Sequence, residues 1–172
     1  MRFVKIIDKI NVLAESLLAI ILSIMAIVVM LQVLVRFIFE QFSVPWSEEI
    51  AKYLMIWLTF IGSAIAARRA KLIAIESVII ALPEKAGKAL KFFAHFVSLV
   101  FYAILFVIGI DWFQFGFTET APVMKISKSY VYASMMVGAA LMMVNTLAYL
   151  IETIHNKEDI RGAVNDDDVD LI

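Results

Sequence analysis

The chain has 172 residues, of which 63% are hydrophobic and 18% are charged. Soluble domains are closer to about 45–50% apolar and about 25% charged, and a chain this short cannot bury such an excess in one core. Fifteen basic and sixteen acidic residues leave a formal net charge of −1, which gives no overall attraction to nucleic acid. The composition therefore predicts a membrane protein.

Residues that could carry chemistry are few. Cysteine is absent, which excludes disulfides, thiolate catalysis and cysteine metal sites. The two histidines, His95 and His155, are too far apart in sequence to form a local metal motif, and no catalytic triad pattern or glycine-rich phosphate loop is present. We therefore predict no enzyme activity, no metal and no cofactor for this chain.

Four apolar stretches are each long enough to cross about 30 Å of hydrocarbon as an α-helix. An all-helical fold is expected, because an open sheet edge in lipid would leave backbone groups without partners. The first stretch is too long for a cleaved secretory signal, so we expect it to be retained. The prediction is an all-α integral membrane domain over residues 1–155, with spans near 12–38, 47–70, 88–113 and 128–153.

The distribution of basic residues predicts the orientation. Eleven of the fifteen lysines and arginines lie in the N-terminal segment, the middle loop and the C-terminal tail. The other four lie in the two remaining connections, 36–52 and 111–128. Basic residues mark cytoplasmic loops, so both termini are predicted to be cytoplasmic, and the two remaining connections to face the periplasm of a Gram-negative cell.

The middle loop and the tail have their own patterns. Residues 72–82 are apolar, too short to cross the membrane and stop at Pro83, which predicts a short helix in the cytoplasmic interface. A direct continuation of the second helix is the alternative. Residues 156–172 are polar and include Asp166-Asp167-Asp168, which predicts a disordered acidic tail rather than a metal site.

Helix two carries the most informative pattern. Glu48 and Lys52 are four residues apart and can form an ion pair on one helix face. Farther along, Gly62, Ala66 and Ala70 recur every four residues, and small side chains at this spacing let another helix approach closely. Helix four has a similar set in Ser134, Gly138 and Ala139. Packing within the chain and docking of another membrane protein both remain open for these faces.

The predicted spans contain few charges. His95 is the deepest ionisable residue, and we interpret it as a packed histidine rather than a proton carrier, since no acidic residue lies one turn away on its helix. A chain with so few ionisable groups in its spans is not expected to form a complete transport pathway alone.

A further pattern extends over most of the chain. Its residues are Trp46-Ser47-Glu48-Glu49-Ile50-Ala51-Lys52-Tyr53-Leu54, Trp57, Phe60-Ile61-Gly62-Ser63-Ala64, Arg68, Leu82-Pro83-Glu84-Lys85, Pro122, Ile126, Tyr130, Tyr132 and Gly138. In these residues the sequence resembles the small membrane subunit of TRAP transporters, the DctQ-like family, over roughly residues 10–152. Two positions depart from the family pattern: Leu72 stands where a histidine is frequent, and Ser127 where a proline is common.

The resemblance implies a three-part importer in the bacterial inner membrane. A periplasmic binding protein would capture an organic acid, of the sialic acid or C4-dicarboxylate type, and a large membrane subunit would carry substrate and sodium. This chain would pack against the large subunit as part of the fixed scaffold, would help to receive the binding protein, and would bind no substrate. The implied partner-interface residues are Trp46, Glu48, Glu49, Lys52, Trp57, Gly62, Ala66 and Arg68.

Two other classes of protein remain as alternatives. A small membrane-anchor or electron-transfer subunit with haem would need paired axial ligands, and one histidine in the predicted spans excludes a bis-histidine site within a single chain. A self-assembling exporter or channel would form only homo-oligomers.

Overall fold

Four long α-helices make up the protein. The computed structural model describes residues 2–38, 45–69 and 82–156, and no strand occurs in these ranges. All four helices are long and apolar enough to cross a membrane, which confirms the predicted fold class. The helices are α1 (Arg2–Ile38), α2 (Pro45–Arg69), α3 (Glu84–Phe115) and α4 (Ser129–Asn156), with a 3-10 turn at Gly116–Thr118.

Two predicted segments fall outside the described ranges. The predicted interfacial helix at 72–82 lies outside them apart from its last residue, and so does the acidic tail beyond residue 156.

Helix α1 begins ten residues before the predicted span, and its 37 residues correspond to about 55 Å of helix. Its first turns bury Val4, Ile7 and Asn11, whose spacing places them on one helix face.

The helices form a single layer in the order α1, α2, α4, α3. Helix α4 packs against α2 on one side and α3 on the other, and α1 packs on the far side of α2 with a smaller contact to α4. In the described residues, no Cα atom of α3 comes within 8 Å of one in α1 or α2. We call the end of the layer that holds residues 116–128 the loop end, and the opposite end, where α1 begins and α4 finishes, the terminal end.

Glycines set the close approach of α4 to its two neighbours. A Cβ atom on Gly138 would lie 2.6 Å from Cβ of Phe60 in α2, and one on Gly109 of α3 would lie 3.0 Å from backbone atoms of Met136. Ser134 and Ala139 are also completely buried. The small residues of α4 therefore serve packing within the chain, which answers the question that their spacing left open.

Large apolar side chains cover the surface of the layer. Phe37 is 81% exposed, and many other apolar side chains on α1 and α3 are more than half exposed. In water, such a surface would drive aggregation. Hydrocarbon is therefore the medium that suits both faces of the layer.

Candidate partner-docking surfaces

Glu49 fastens the start of α2 to the 116–128 loop. Its side chain is 8% exposed, and one carboxylate oxygen accepts a hydrogen bond of 2.8 Å from the backbone N–H of Met124. The other oxygen accepts one of 2.9 Å from the Tyr53 hydroxyl. A buried carboxylate needs such donors. Glu49 therefore connects the start of α2 to the 116–128 loop within the chain.

The 116–128 loop is closed by an isolated bridge between Thr120 and Ser127. The Ala121 N–H donates to the Ile126 carbonyl at 2.8 Å, and Lys125 takes a left-handed conformation with φ of 58°. At the other end of the loop, the Ser127 hydroxyl donates to the Gly116 carbonyl at 2.9 Å. The loop is thus internally braced and joined to α2.

An ion pair closes the base of this loop. Lys128 Nζ lies 3.0 Å from a Glu119 carboxylate oxygen, which also accepts a hydrogen bond of 3.2 Å from the Tyr132 hydroxyl. The hydrogen bond from Lys128 holds the pKa of Glu119 below its ordinary value. The same bond raises the pKa of Lys128.

Exposed side chains surround the bond between Glu49 and Met124. Glu48 and Lys52 form the predicted i, i+4 ion pair at 2.6 Å, and both side chains are well exposed. Trp46 is 45% exposed. We define the loop-end patch as these residues together with the exposed tip of the loop: Trp46, Glu48, Lys52, Val123 and Lys125.

Arg68 joins three helices at the terminal end. Its guanidinium lies 2.9 Å from the Asp8 carboxylate of α1 and 2.6 Å from the Glu152 carboxylate of α4. The Arg68 side chain is only 14% exposed, whereas both carboxylates are partly open to solvent. This cluster ties α2 to both of its neighbours.

A buried amide pair lies next to this cluster. The side chains of Asn11 and Asn145 exchange hydrogen bonds of 2.7 and 2.9 Å. Asn145 also donates to the Ala64 carbonyl of α2 at 2.7 Å. Hydrogen bonds between helices in lipid contribute about 0.6 kcal/mol each on average, so this pair adds modestly to the packing of α1, α2 and α4.

The structure places the eight predicted interface residues in two groups. Glu49 and Arg68 form bonds within the chain, as described above. Trp57 Nε1 donates to the Tyr130 carbonyl at 3.2 Å. A Cβ added to Gly62 would have Leu18 of α1 as its nearest neighbour, 4.0 Å away. The four that remain exposed and available to a partner are Trp46, Glu48, Lys52 and Ala66.

Ala66 belongs to an open furrow across the middle of the layer. The furrow runs over α4 between α2 and α3 and has a volume of about 390 Å³. We call it the membrane furrow. Its lining includes Thr59, Ser63, Ala66, His95, Ser98, Tyr102 and Thr146.

His95 is packed, as the sequence indicated. It is 6% exposed, its ring stacks on Tyr149 with centroids 5.2 Å apart, and Nδ1 lies 2.8 Å from the Lys91 carbonyl. Lys91, one turn earlier, is 3% exposed. Its ammonium group is the one buried side-chain polar group in the described part of the chain that lacks a hydrogen-bond partner.

Sequence reasoning missed the residues that join distant helices. Asn145 could have been noticed as a polar side chain inside the uncharged run of helix four, a position that marks helix packing in membranes. Asp8 and Glu152 lie at helix ends, where charged residues are ordinary, so no local signal identified them as partners of Arg68.

The fold and these contacts define a membrane subunit. The sites that it offers to other proteins lie on its surface. Among the described residues, the buried carboxylate (Glu49) and the buried ammonium (Lys91) lie toward opposite ends of the layer, so they form no continuous path. No group of three metal-ligating side chains comes together in the same residues.

The chain belongs to the DctQ family. The family described as tripartite ATP-independent periplasmic transporters, DctQ component, matches residues 25–156, which confirms the resemblance seen in the sequence. A TRAP transporter small permease protein of Haemophilus influenzae is 29% identical over 147 residues, which are 84% of this chain and 89% of that protein. The protein is therefore a TRAP transporter small permease subunit.

A second relative is much longer. The sialic acid TRAP transporter permease protein SiaT of Haemophilus influenzae is 30% identical over 115 residues. The match covers 65% of this chain but only 18% of SiaT. A segment similar to this chain is thus one part of a larger permease polypeptide in that relative.

Proposed function

We propose that this chain is a non-catalytic scaffold subunit of a sodium-driven TRAP transporter that imports an organic acid. The observation that carries the proposal is the family match over residues 25–156. The separation of the buried carboxylate and ammonium in the described residues supports a scaffold role, because ion and substrate pathways in membranes use ionisable groups near one another.

The partner in the membrane is a large permease subunit, which carries the substrate and the sodium sites. SiaT contains a segment similar to this chain within a single polypeptide, which supports close packing of the two parts. The exposed apolar faces of the single layer offer a second protein broad contact area. Family membership favours this role over the electron-transfer alternative.

The loop-end patch faces the periplasm and helps to receive the binding protein. The distribution of lysine and arginine supports this orientation, with both termini in the cytoplasm of a multi-pass inner-membrane protein. The braced 116–128 loop supports the docking role, because a contact surface that is already ordered loses less entropy when a partner binds.

The transported compound is an organic acid of the sialic acid or C4-dicarboxylate type. SiaT is a sialic acid transporter permease by name, and its similarity to this chain supports sialic acid as the first compound to test. Selectivity is assigned to the large subunit and the binding protein.

Reconstitution of the transporter in proteoliposomes tests the proposal. With the large subunit, this chain and the binding protein present, we expect uptake of sialic acid or succinate that requires an inward sodium gradient. Omitting this chain should abolish the uptake. Equal uptake without this chain, or uptake by this chain alone, would contradict the scaffold role.

A further inference from the structure

The membrane furrow is shaped to admit another helix. Its wall on α2 includes the small side chains of Ser63, Ala66 and Ala67 next to Phe60, and Ser63 and Ala66 are exposed. Small residues let two helix backbones approach closely in lipid. No Cα atom in the described residues of α2 lies within 8 Å of one in α3, so the two backbones leave the furrow between them above α4.

Some polar groups of the furrow are already satisfied within the chain. The Thr59 hydroxyl donates to the Met55 carbonyl at 2.8 Å, and the Ser98 hydroxyl donates to the Ala94 carbonyl at 2.9 Å. Both bonds follow the i−4 pattern that hydroxyl side chains use in membrane helices. These two residues therefore require no partner from outside.

His95 presents an unused acceptor. Since its Nδ1 faces the Lys91 carbonyl at 2.8 Å, the proton of a neutral ring lies on Nδ1, and Nε2 carries a free lone pair. No other described residue bonds to Nε2. The hydrocarbon tails of lipids offer no donor for it.

We propose, building on the function proposed above, that the membrane furrow receives a transmembrane helix of the large permease subunit. This helix donates a hydrogen bond to Nε2 of His95, which lines the furrow. A lipid tail fits the apolar part of the furrow but supplies no donor, so a protein helix is the occupant that matches the site.

The absence of cysteine makes site-specific photolabelling straightforward. Single-cysteine variants Ser63→Cys and Ser98→Cys, each carrying a short diazirine label, are reconstituted with the large subunit in a lipid bilayer. Illumination should cross-link both to the large subunit. The matched control is Ala26→Cys on α1, outside the furrow, which should cross-link to the large subunit less than either furrow position does.

The outcomes separate the inference from the function on which it rests. If the large subunit co-purifies with the chain but the furrow positions label only lipid or a second copy of this chain, the furrow inference is wrong and the proposed function stands. If the large subunit does not co-purify with the unmodified chain, both are wrong.

Substitution of His95 tests the hydrogen bond itself. His95→Leu should weaken association with the large subunit by roughly threefold to twentyfold, the range measured for hydrogen bonds between membrane helices. His95→Gln keeps an acceptor oxygen and should recover most of the affinity. Equal weakening by both variants would show that packing, and not an acceptor, matters at this position.

Discussion

Two adjacent glutamates at the start of α2 have different surroundings. Glu48 is exposed and pairs with Lys52 on its own helix. Glu49 is buried and accepts the Met124 N–H from the 116–128 loop. Glu48 is available to a partner protein, whereas Glu49 stabilises the loop that forms part of the surface for that partner.

Replacing each glutamate with alanine should separate these roles. Glu49→Ala removes a buried carboxylate that accepts from the Met124 N–H and the Tyr53 hydroxyl, which costs about 1–3 kcal/mol of stability. Glu48→Ala should leave the unfolding midpoint in detergent unchanged, because exposed pairs contribute little. Thermal unfolding of the purified transporter complex measures both, and equal midpoints for the two variants would contradict the assignment.

The Glu119–Lys128 pair should make the 116–128 loop sensitive to acid. The pKa of Glu119 is lowered in the folded protein, so its contribution is complete above the ordinary value of 4.5 and is lost as the pH falls through the lowered pKa. On the alkaline side, the raised pKa of Lys128 means that its contribution is lost as the pH rises through that pKa.

Limited proteolysis of the loop as a function of pH measures this effect. Cleavage should increase in the natural protein as the pH falls below about 4.5, because the pKa of Glu119 lies below this ordinary value and the pair is lost as Glu119 protonates. In a Glu119→Gln variant, cleavage should not depend on pH in this range. A pH profile shared by both proteins would show that another group controls the loop.

The local spacing of residues in the sequence predicted contacts within one helical turn but not contacts between distant segments. The Glu48–Lys52 pair follows from positions four apart on a helix, and the structure confirms it. The loop partner of Glu49, Met124, is 75 residues away, and the partners of Arg68 are 60 and 84 residues away. No local pattern specifies such pairs, because they depend on which helices become neighbours.

At the scale of the helices, two glycines that look alike in sequence have different environments. Gly138 of α4 lies against Phe60, where an added Cβ would be 2.6 Å from the Phe60 Cβ. The nearest atom to an added Cβ on Gly62 is the end of Leu18, at an ordinary distance of 4.0 Å. The first glycine is required for packing, and the second is not.

Alanine substitution should therefore act in opposite directions. Gly138→Ala forces α2 and α4 apart and should cost about 1–3 kcal/mol, the usual range for overpacking. Gly62→Ala has room for its methyl group and should stabilise the helix by about 0.5–1 kcal/mol. Unfolding of the complex in detergent measures both changes, and a loss of stability in Gly62→Ala would contradict the open environment of Gly62.

The Asn11–Asn145 pair should behave as a coupled unit. Either Asn11→Leu or Asn145→Leu leaves the other amide buried without its partner, which costs about 1–3 kcal/mol. The double variant removes both amides and should cost less than the sum of the single changes. Strictly additive losses in a double-mutant cycle would indicate that the two amides do not interact.

The number of helices and their approximate limits followed from the length of the apolar runs. Their order in the layer did not, because residues that face lipid are as apolar as residues that face another helix. Phe37 and Ile61 are equally plausible core residues by composition, yet the first is 81% exposed and the second 6%. In this chain, glycine and asparagine carry more information about helix contacts than the large apolar residues do.

At the scale of the whole molecule, the single layer leaves both of its faces open. Helix α3 is held only through α4 among the described elements, apart from the 3-10 turn that follows it. A closed four-helix bundle would cover its own interior, whereas this layer exposes the membrane furrow and the apolar sides of α1 and α3. The arrangement suits a subunit that completes a larger membrane assembly.

The mass of the assembly extracted into lipid nanodiscs tests this account most directly. Native mass spectrometry of nanodiscs from cells that produce the large subunit and this chain should give the large subunit plus one copy of the 19.4 kDa chain. The matched sample without the large subunit should show no stable assembly of defined size. A homo-oligomer of this chain, unchanged when the large subunit is present, would contradict the account.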